Sequence, residues 1–416
     1  MDNTIQPWPL AKRILFRFLF IYLILYIPTV AITETAIPGL TPLWKWMTTT
    51  AGSILYSKAY TNNIHPTGSG DTQFNYVCLF TNLLLALAGT IIWSILDRRR
   101  ASYSSLSYWF RVFLRYWLGI MLLTYGMSKV IPQQFLPPSL YDLDRPLGES
   151  SPMGLAWKFF GYSVGYNVFM GLAEVIPGIL LFFRRTTLLG ALMAIGVMGH
   201  VFVLNLTYDI PVKQLSGHLL FLAIIIAAPE CKRLWQFFTN QNFVQPSTLY
   251  TPVYTKRWQL YLFKGIKIFF LLLAAYVFLY RATTRGFSYK TKMAERSALY
   301  GIYEVKQADV AVDYYYINRW QKIYFDQGNT CVIISGDSST FYFKNKVDSV
   351  RKTVSMIGPK MGSYDFKYTE LPDNQLQLTA IINNSPVTLL LQRKALDQYP
   401  LMNMPFKWIN EYPINQ

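Results

Sequence analysis

The chain has little of what side-chain chemistry usually needs. Its three cysteines, in 416 residues, are isolated. Cys78, Cys231 and Cys331 form no C-x-x-C and share no metal-like spacing with histidine, which argues against thiol chemistry by this chain alone. The three histidines lie in separate regions and make no case for a metal. Nothing resembles a phosphate loop, a nucleophile elbow or a zinc-protease helix. Charge is scarce too, at 15% of residues, and acid scarcer than base, with 22 Asp+Glu against 39 Lys+Arg.

What fills the space is apolar. Hydrophobic residues make up 52% of the chain and aromatics 17%, too greasy for an average soluble protein. The surplus is confined to residues 1–285, and 286–416 reads as an ordinary soluble sequence. Residues 1–285 hold 24 Lys+Arg and 10 Asp+Glu, so most of the +17 net charge lies there. A basic excess can mean nucleic acid. Here it sits at the ends of apolar runs, where it orients spans in a lipid bilayer. The bilayer is therefore the expected partner, and nucleic acid is not.

A bilayer core needs about 20 apolar residues in a helix. The runs 14–33, 76–96, 107–129, 163–183, 187–207, 214–229 and 263–280 predict a polytopic α-helical membrane bundle of about seven spans. The basic stretch Lys12/Arg13/Arg17 precedes the first run without a clean small-residue cleavage site, so that run is expected to be a retained span. Basic junctions at Lys12/Arg13/Arg17, Arg98–Arg100, Arg184/Arg185 and Lys232/Arg233 with Lys256–Lys267 alternate as seven spans require. They predict a cytoplasmic (inner) membrane protein with its N-terminus inside and its C-terminal domain periplasmic or otherwise extracytoplasmic. Arg281 and Arg285 oppose this and are outnumbered. If 263–280 did not span, the C-terminal domain would be cytoplasmic.

Two long outer loops are expected to pack as a lid. Residues 34–75 carry Leu43-Trp44-Lys45-Trp46, an interfacial signature, though the Gly/Thr/Asn-rich 62–73 reads equally as a solvated linker. Residues 130–162 carry five prolines with Asp142, Asp144 and Glu149. From Leu299 the pattern alternates apolar and polar, bounded by turn signals. About eight short strands, from Tyr300–Val305 through Val350–Ile357 to Val387–Arg393, predict an all-β up-and-down barrel or sandwich.

Ionisable groups inside a membrane are costly and are functional candidates. Arg111 and Arg115 stand at i and i+4 on one helix face, and Lys129 ends the same run. Glu174 lies in the next run, and His200 in the one after. Arg115 and Glu174 both fall near the bilayer centre, on helices expected to be antiparallel. An Arg115–Glu174 pair, with His200 in reach, reads either as a proton relay or polar headgroup site or as a structural ion pair between spans. Lys129 reads as a snorkelling lysine. Asn205, Asp209 and His218 form or flank a polar outer turn, which either presents groups to a substrate or caps two helices. His218 reads as a hydrogen-bonded residue rather than a metal ligand.

The stretch from about Arg111 to Arg233 resembles the DoxX-like membrane family. The matching residues are Tyr125-Gly126-x-x-Lys129, Gly171-x-x-Glu174-x-x-x-Gly178, Leu181-Phe-Phe-Arg184-Arg185-Thr186, Gly190 and His200. The resemblance, with a core at about 107–233, implies a four-helix bundle associated with quinone-linked or thiol redox systems. On that basis a quinone-like lipid at the Arg115/Glu174/His200 cluster is the expected ligand. The additional spans and the β-domain depart from the family pattern. A weaker resemblance is to the membrane domain of vitamin-K-dependent carboxylases, which implies a carboxylase- or transferase-like enzyme. The β-domain looks like a lipocalin-type barrel from Gly301-Ile-Tyr303 and the strand count, which implies a ligand pocket. The residues alone leave open a non-enzymatic subunit that docks other envelope proteins through this domain.

Overall fold

The computed structural model describes residues 7–34, 41–56, 68–239, 250, 256–280, 283–284, 286, 296–310, 317–358, 362–382, 384–404 and 408. Residues 62–67, Arg281, Arg285 and Asn383 lie outside the described residues. Each predicted apolar run lies in a helix: α1 (Leu10–Glu34), α3 (Gln73–Leu96), α4 (Ser104–Val130), α7 (Val164–Phe182), α8 (Thr187–Thr207), α9 (Lys213–Ala227) and α11 (Arg257–Tyr280). Five described helical stretches are long and apolar enough to cross a membrane: α3, α7, α8, the 213–238 stretch that begins with α9, and α11. The loop expected at 34–75 contains a helix, α2 (Thr41–Tyr56), and that at 130–162 contains α5 (Leu140–Asp144) and α6 (Pro152–Tyr162). Local chemistry explains the last two. Ser139 and Asp142 form a capping box on α5, and Ser151 caps α6 with Pro152 at its first position.

Two compact units result, residues 1–127 with 171–278, and 128–170 with 279–416. This differs from a division at 285, because the segment between α4 and α7 groups with the β-domain. The first unit has its core among Tyr22, Leu23, Leu114, Leu118, Leu122, Leu181, Ala191, Ala194, Leu222 and Ala223. Within it α4 and α7 run antiparallel in close backbone contact. A Cβ on Gly126 would meet the Gly171 carbonyl at 2.8 Å and Val175 at 2.7 Å. One on Gly119 would meet the Gly178 carbonyl at 3.0 Å. The glycines that carried the family resemblance are thus spacing residues, letting two backbones approach as small residues do in membrane helices.

The second unit contains a closed antiparallel barrel in sequence order, β1 (Gly301–Val310), β2 (Trp320–Asp326), β3 (Thr330–Ser335), β4 (Thr340–Asp348), β5 (Thr353–Gly358), β6 (Gly362–Leu371), β7 (Gln375–Ile382) and β8 (Ser385–Lys394), with β8 paired to β1. The barrel, not the sandwich, is the observed alternative. Val350, expected in a strand, lies in the β4–β5 turn and is 94% exposed. Alternate residues fill the interior, among them Tyr303, Trp320, Phe325, Phe343, Met356 and Phe366. These side chains form the hydrophobic core of the barrel.

The outward positions Ile302, Tyr324 and Val332 on β1–β3 are also buried, because α5 packs over them through Leu140. The Asp326 carboxylate accepts from the Leu140 amide at 2.8 Å. Asp144 is the lock. Its carboxylate, whose side chain is only 4% exposed, accepts from Lys322 Nζ and Lys394 Nζ at 2.6 Å each, from Tyr324 at 2.9 Å and from Tyr399. Burial alone would raise its pKa, but the hydrogen bonds from Lys322, Lys394, Tyr399 and Tyr324 outweigh that and hold it well below the usual carboxylate range. Burial pushes Asp326 the other way, up.

Two outcomes are expected. Gly126→Val should cost about 1–3 kcal/mol by overpacking, read as a lower unfolding temperature of the detergent-solubilised protein; an unchanged value would show that α4 and α7 are not tightly apposed. Asp144→Asn leaves two ammonium groups without their counter-charge. It should cost about 2–3 kcal/mol, the low end for a broken buried pair because both lysines stay partly hydrated. The stability from the depressed Asp144 carboxyl is present above its unfolded pKa of about 3.9 and lost as pH falls below it. Hydrogen-exchange protection of residues 140–144, taken relative to the intrinsic rate at each pH, should fall in acid in the wild type and be low, with less pH dependence, in the variant.

Candidate functional site

Arg111 and Arg115 decide where the site lies. Both are on α4, and Arg115 is about 16 Å along it from Ser104 and 7% exposed. Arg115 donates through Nε and Nη2 to the Leu181 carbonyl at 3.1 and 2.9 Å. Arg111 donates through the same atoms to the Ile226 carbonyl at 3.1 and 2.8 Å. Those carbonyls belong to the last turns of α7 and α9, whose unpaired C=O groups and dipoles attract cations. One edge of each guanidinium is thereby used, and a guanidinium has five N–H donors.

No carboxylate lies within 4 Å of either guanidinium among the described residues. The Arg115–Glu174 pair expected from the sequence is therefore not formed. Arg115 rests on Leu181, seven residues and about 10 Å beyond Glu174 on α7. Glu174 is itself 3% exposed and not without a partner. Lys129 is likewise buried and engaged, at 7% exposure, rather than snorkelling. His200 is exposed on α8 and does not join the two arginines.

The arginines open instead onto a cavity of about 300 Å³. Its cations are Lys12, Arg111, Arg115 and Arg184, and its hydroxyls come from Ser104, Ser107, Tyr108 and Thr187, with Trp8 and Tyr250 also lining it. A second cavity of about 210 Å³ shares Tyr108, Val112, Arg115 and Arg184, and adds Lys264, Lys267 and an apolar wall from α4 and α11. Among the described residues, no Asp or Glu lines either cavity. Arg17 is a useful contrast. It is 1% exposed, yet its donors are spent on Tyr103, Ser94 Oγ and the Asp97 carbonyl, which makes it a structural cation.

The polar outer turn resolves as capping. Asn205 donates to Ser216 Oγ at 2.9 Å, and Lys213 Nζ meets Asp209 at 2.7 Å. Asp71 accepts from the Lys213 and Gln214 amides at 2.6 and 2.9 Å, at the start of α9. His218 is held on both sides: Nδ1 faces the Gln214 carbonyl at 2.7 Å, and Nε2 the Tyr22 hydroxyl at 2.6 Å. The carbonyl fixes the proton on Nδ1, so neutral Nε2 accepts from Tyr22. Its ring stacks on Tyr26 at 3.8 Å. Among the described residues no group of three His, Cys, Asp or Glu could hold a metal.

Sequence reasoning found Arg111 and Arg115 but missed Lys12, Tyr108, Lys264 and Lys267 as partners, and read Arg184 only as a topology signal. The available clue was that basic residues cluster at one end of α1, α4, α8 and α11.

One relative is informative about extent only. A Bacillus subtilis (strain 168) protein described as uncharacterized protein YwoB is 29% identical over 145 residues, which is 34% of this chain and 88% of that protein. No family model matches the chain, and no solved structure matches it. About a third of the chain thus corresponds to nearly all of a smaller protein.

Proposed function

We propose that this protein crosses the cytoplasmic membrane seven times and holds an anionic amphiphile in the basic cavity, at its cytoplasmic face. The observation that carries the binding is the pair Arg111 and Arg115. A buried charge without a counter-charge costs several kcal/mol. Arg115 hydrogen-bonds only a helix-end carbonyl, and Arg111 does the same, its one nearby acid, Glu230, being already paired with Arg233. An anion entering the cavity supplies what the protein lacks.

Crossing parity supports the orientation. The α5 segment, between α4 and α7, packs on the barrel strands, so the two lie on one side of the bilayer. Between them the chain must cross an even number of times, and α7, α8, α9 and α11 make four. On this reading α11 crosses too, despite the adjacent Arg281 and Arg285. The basic junctions then fall together on the cytoplasmic side with the cavity, and the barrel is extracytoplasmic.

The DoxX-like resemblance adds a redox association and a quinone-like lipid. A neutral quinone leaves the arginines unbalanced, so an anionic headgroup is the better fit to this cavity. A second role is docking of cell-envelope proteins through the outer surface of the barrel, whose inward side chains form a hydrophobic core.

Anionic lipids should co-purify with the wild type in mild detergent and fall several-fold in Arg115→Gln, which keeps a donor for the Leu181 carbonyl. Equal recovery of neutral and anionic lipids from both would sink the binding reading. Orientation is tested by the natural cysteines. Cys231 is exposed, whereas Cys78 and Cys331 are buried. A membrane-impermeant maleimide should label Cys231 only after the cells are permeabilised; labelling in intact cells would reverse the orientation.

A further inference from the structure

We infer that the amphiphile is a membrane lipid whose headgroup ends in a phosphate monoester, with its chain in the slot between α4 and α11. The inference rests on the anionic-amphiphile reading and narrows it to one ligand class. Three observations carry it.

The first is the charge count. Lys12, Arg111, Arg115, Arg184, Lys264 and Lys267 line the two cavities, which share four lining residues, and among the described residues no carboxylate does. Six cations with no acid fit a dianion better than a monoanion, and they repel the quaternary ammonium of a zwitterionic headgroup.

The second is donor geometry. Guanidinium forks match the oxygens of phosphate, and three of them converge here. The hydroxyls of Ser107 and Tyr108 add donors suited to a terminal phosphate, which exposes three oxygens. A phosphodiester buries one of those oxygens in a second ester bond and carries one charge fewer.

The third is the apolar slot. The smaller cavity runs from the shared Arg115 and Arg184 along Trp109, Tyr116, Phe182, Leu260, Phe263 and Ile266. Trp109 stacks on Phe263 at 3.8 Å, and Tyr116 lies 5.1 Å from Phe270, so aromatic contacts between α4 and α11 floor it. A free phosphate ion gains nothing from such a slot. A hydrocarbon chain does, and α11 has one face against α4 while its remaining surface is largely exposed, as lateral entry from a bilayer requires.

The test uses the full-length protein in neutral detergent, with native mass spectrometry and thermal unfolding as readouts. The probes are dioleoyl phosphatidic acid, dihexanoyl phosphatidic acid, dioleoyl phosphatidylglycerol, dioleoyl phosphatidylcholine and inorganic phosphate. Dioleoyl phosphatidic acid should bind at least about tenfold more tightly than the glycerol diester and the short-chain acid. Phosphatidylcholine and millimolar phosphate should give no shift. Arg111→Gln should abolish the difference between phosphatidic acid and phosphatidylcholine. The exposed pair Lys264→Gln/Lys267→Gln, which leaves the core untouched, should weaken phosphatidic acid several-fold. Equal binding of inorganic phosphate and the long-chain lipid would reduce the site to a free-anion site and overturn this inference. Equal binding of phosphatidic acid and phosphatidylglycerol would overturn the monoester while leaving the anionic reading intact. Equal binding of phosphatidylcholine would overturn both.

Discussion

Close backbone contact between α4 and α7 is the constraint on which the helical unit depends. Gly119 and Gly126 set against Gly178 and Gly171 remove the side chains that would otherwise hold the two helices apart. At that separation, and with the helices antiparallel, the guanidinium of Arg115 reaches the last-turn carbonyl of α7. Arg111, one turn earlier, reaches the corresponding carbonyl of α9. Four helices are thereby tied at one end, with α11 stacked on α4 through Trp109 and Phe263. The basic cavity is what this convergence leaves between them.

Two buried-charge arrangements in the chain have opposite logic. Asp144 receives two ammonium groups and two phenol hydroxyls, so its charge is balanced within the protein and its effect is to lock α5 on the barrel wall. Arg111 and Arg115 hydrogen-bond only backbone carbonyls. Arg17 also has only dipolar partners, but its donors are spent on them, whereas the two α4 arginines face an open basic cavity. The His218–Tyr22 pair belongs with the structural contacts, since both ring nitrogens are occupied.

Much of the architecture was legible in the sequence. The apolar runs gave each long helix within a few residues because length and composition alone specify a helix that buries its own backbone polar groups. The β-domain was legible from period-two alternation and turn residues, and its strand list matches closely. Val350 was misplaced because an apolar residue in a turn looks like one in a strand. The two helices between α4 and α7 went unread since proline-rich composition suggests irregular structure, whereas Ser139 and Ser151 supplied caps.

The sequence by itself determined that Arg115 and Glu174 would be buried charges, where the long apolar helices run and that eight strands follow, since these depend on local composition and period. Only the tertiary structure decided partners. Glu174 and Arg115 are well matched in depth as a pair, but a helix offers neighbouring groups two turns apart, and the carbonyl end of α7 took the guanidinium. Closure of the barrel, the docking of α5 through Asp144, and the meeting of Lys12, Arg184 and Lys264 with the two arginines all join residues far apart in the chain. Their contacts depend on packing geometry, which no local pattern encodes.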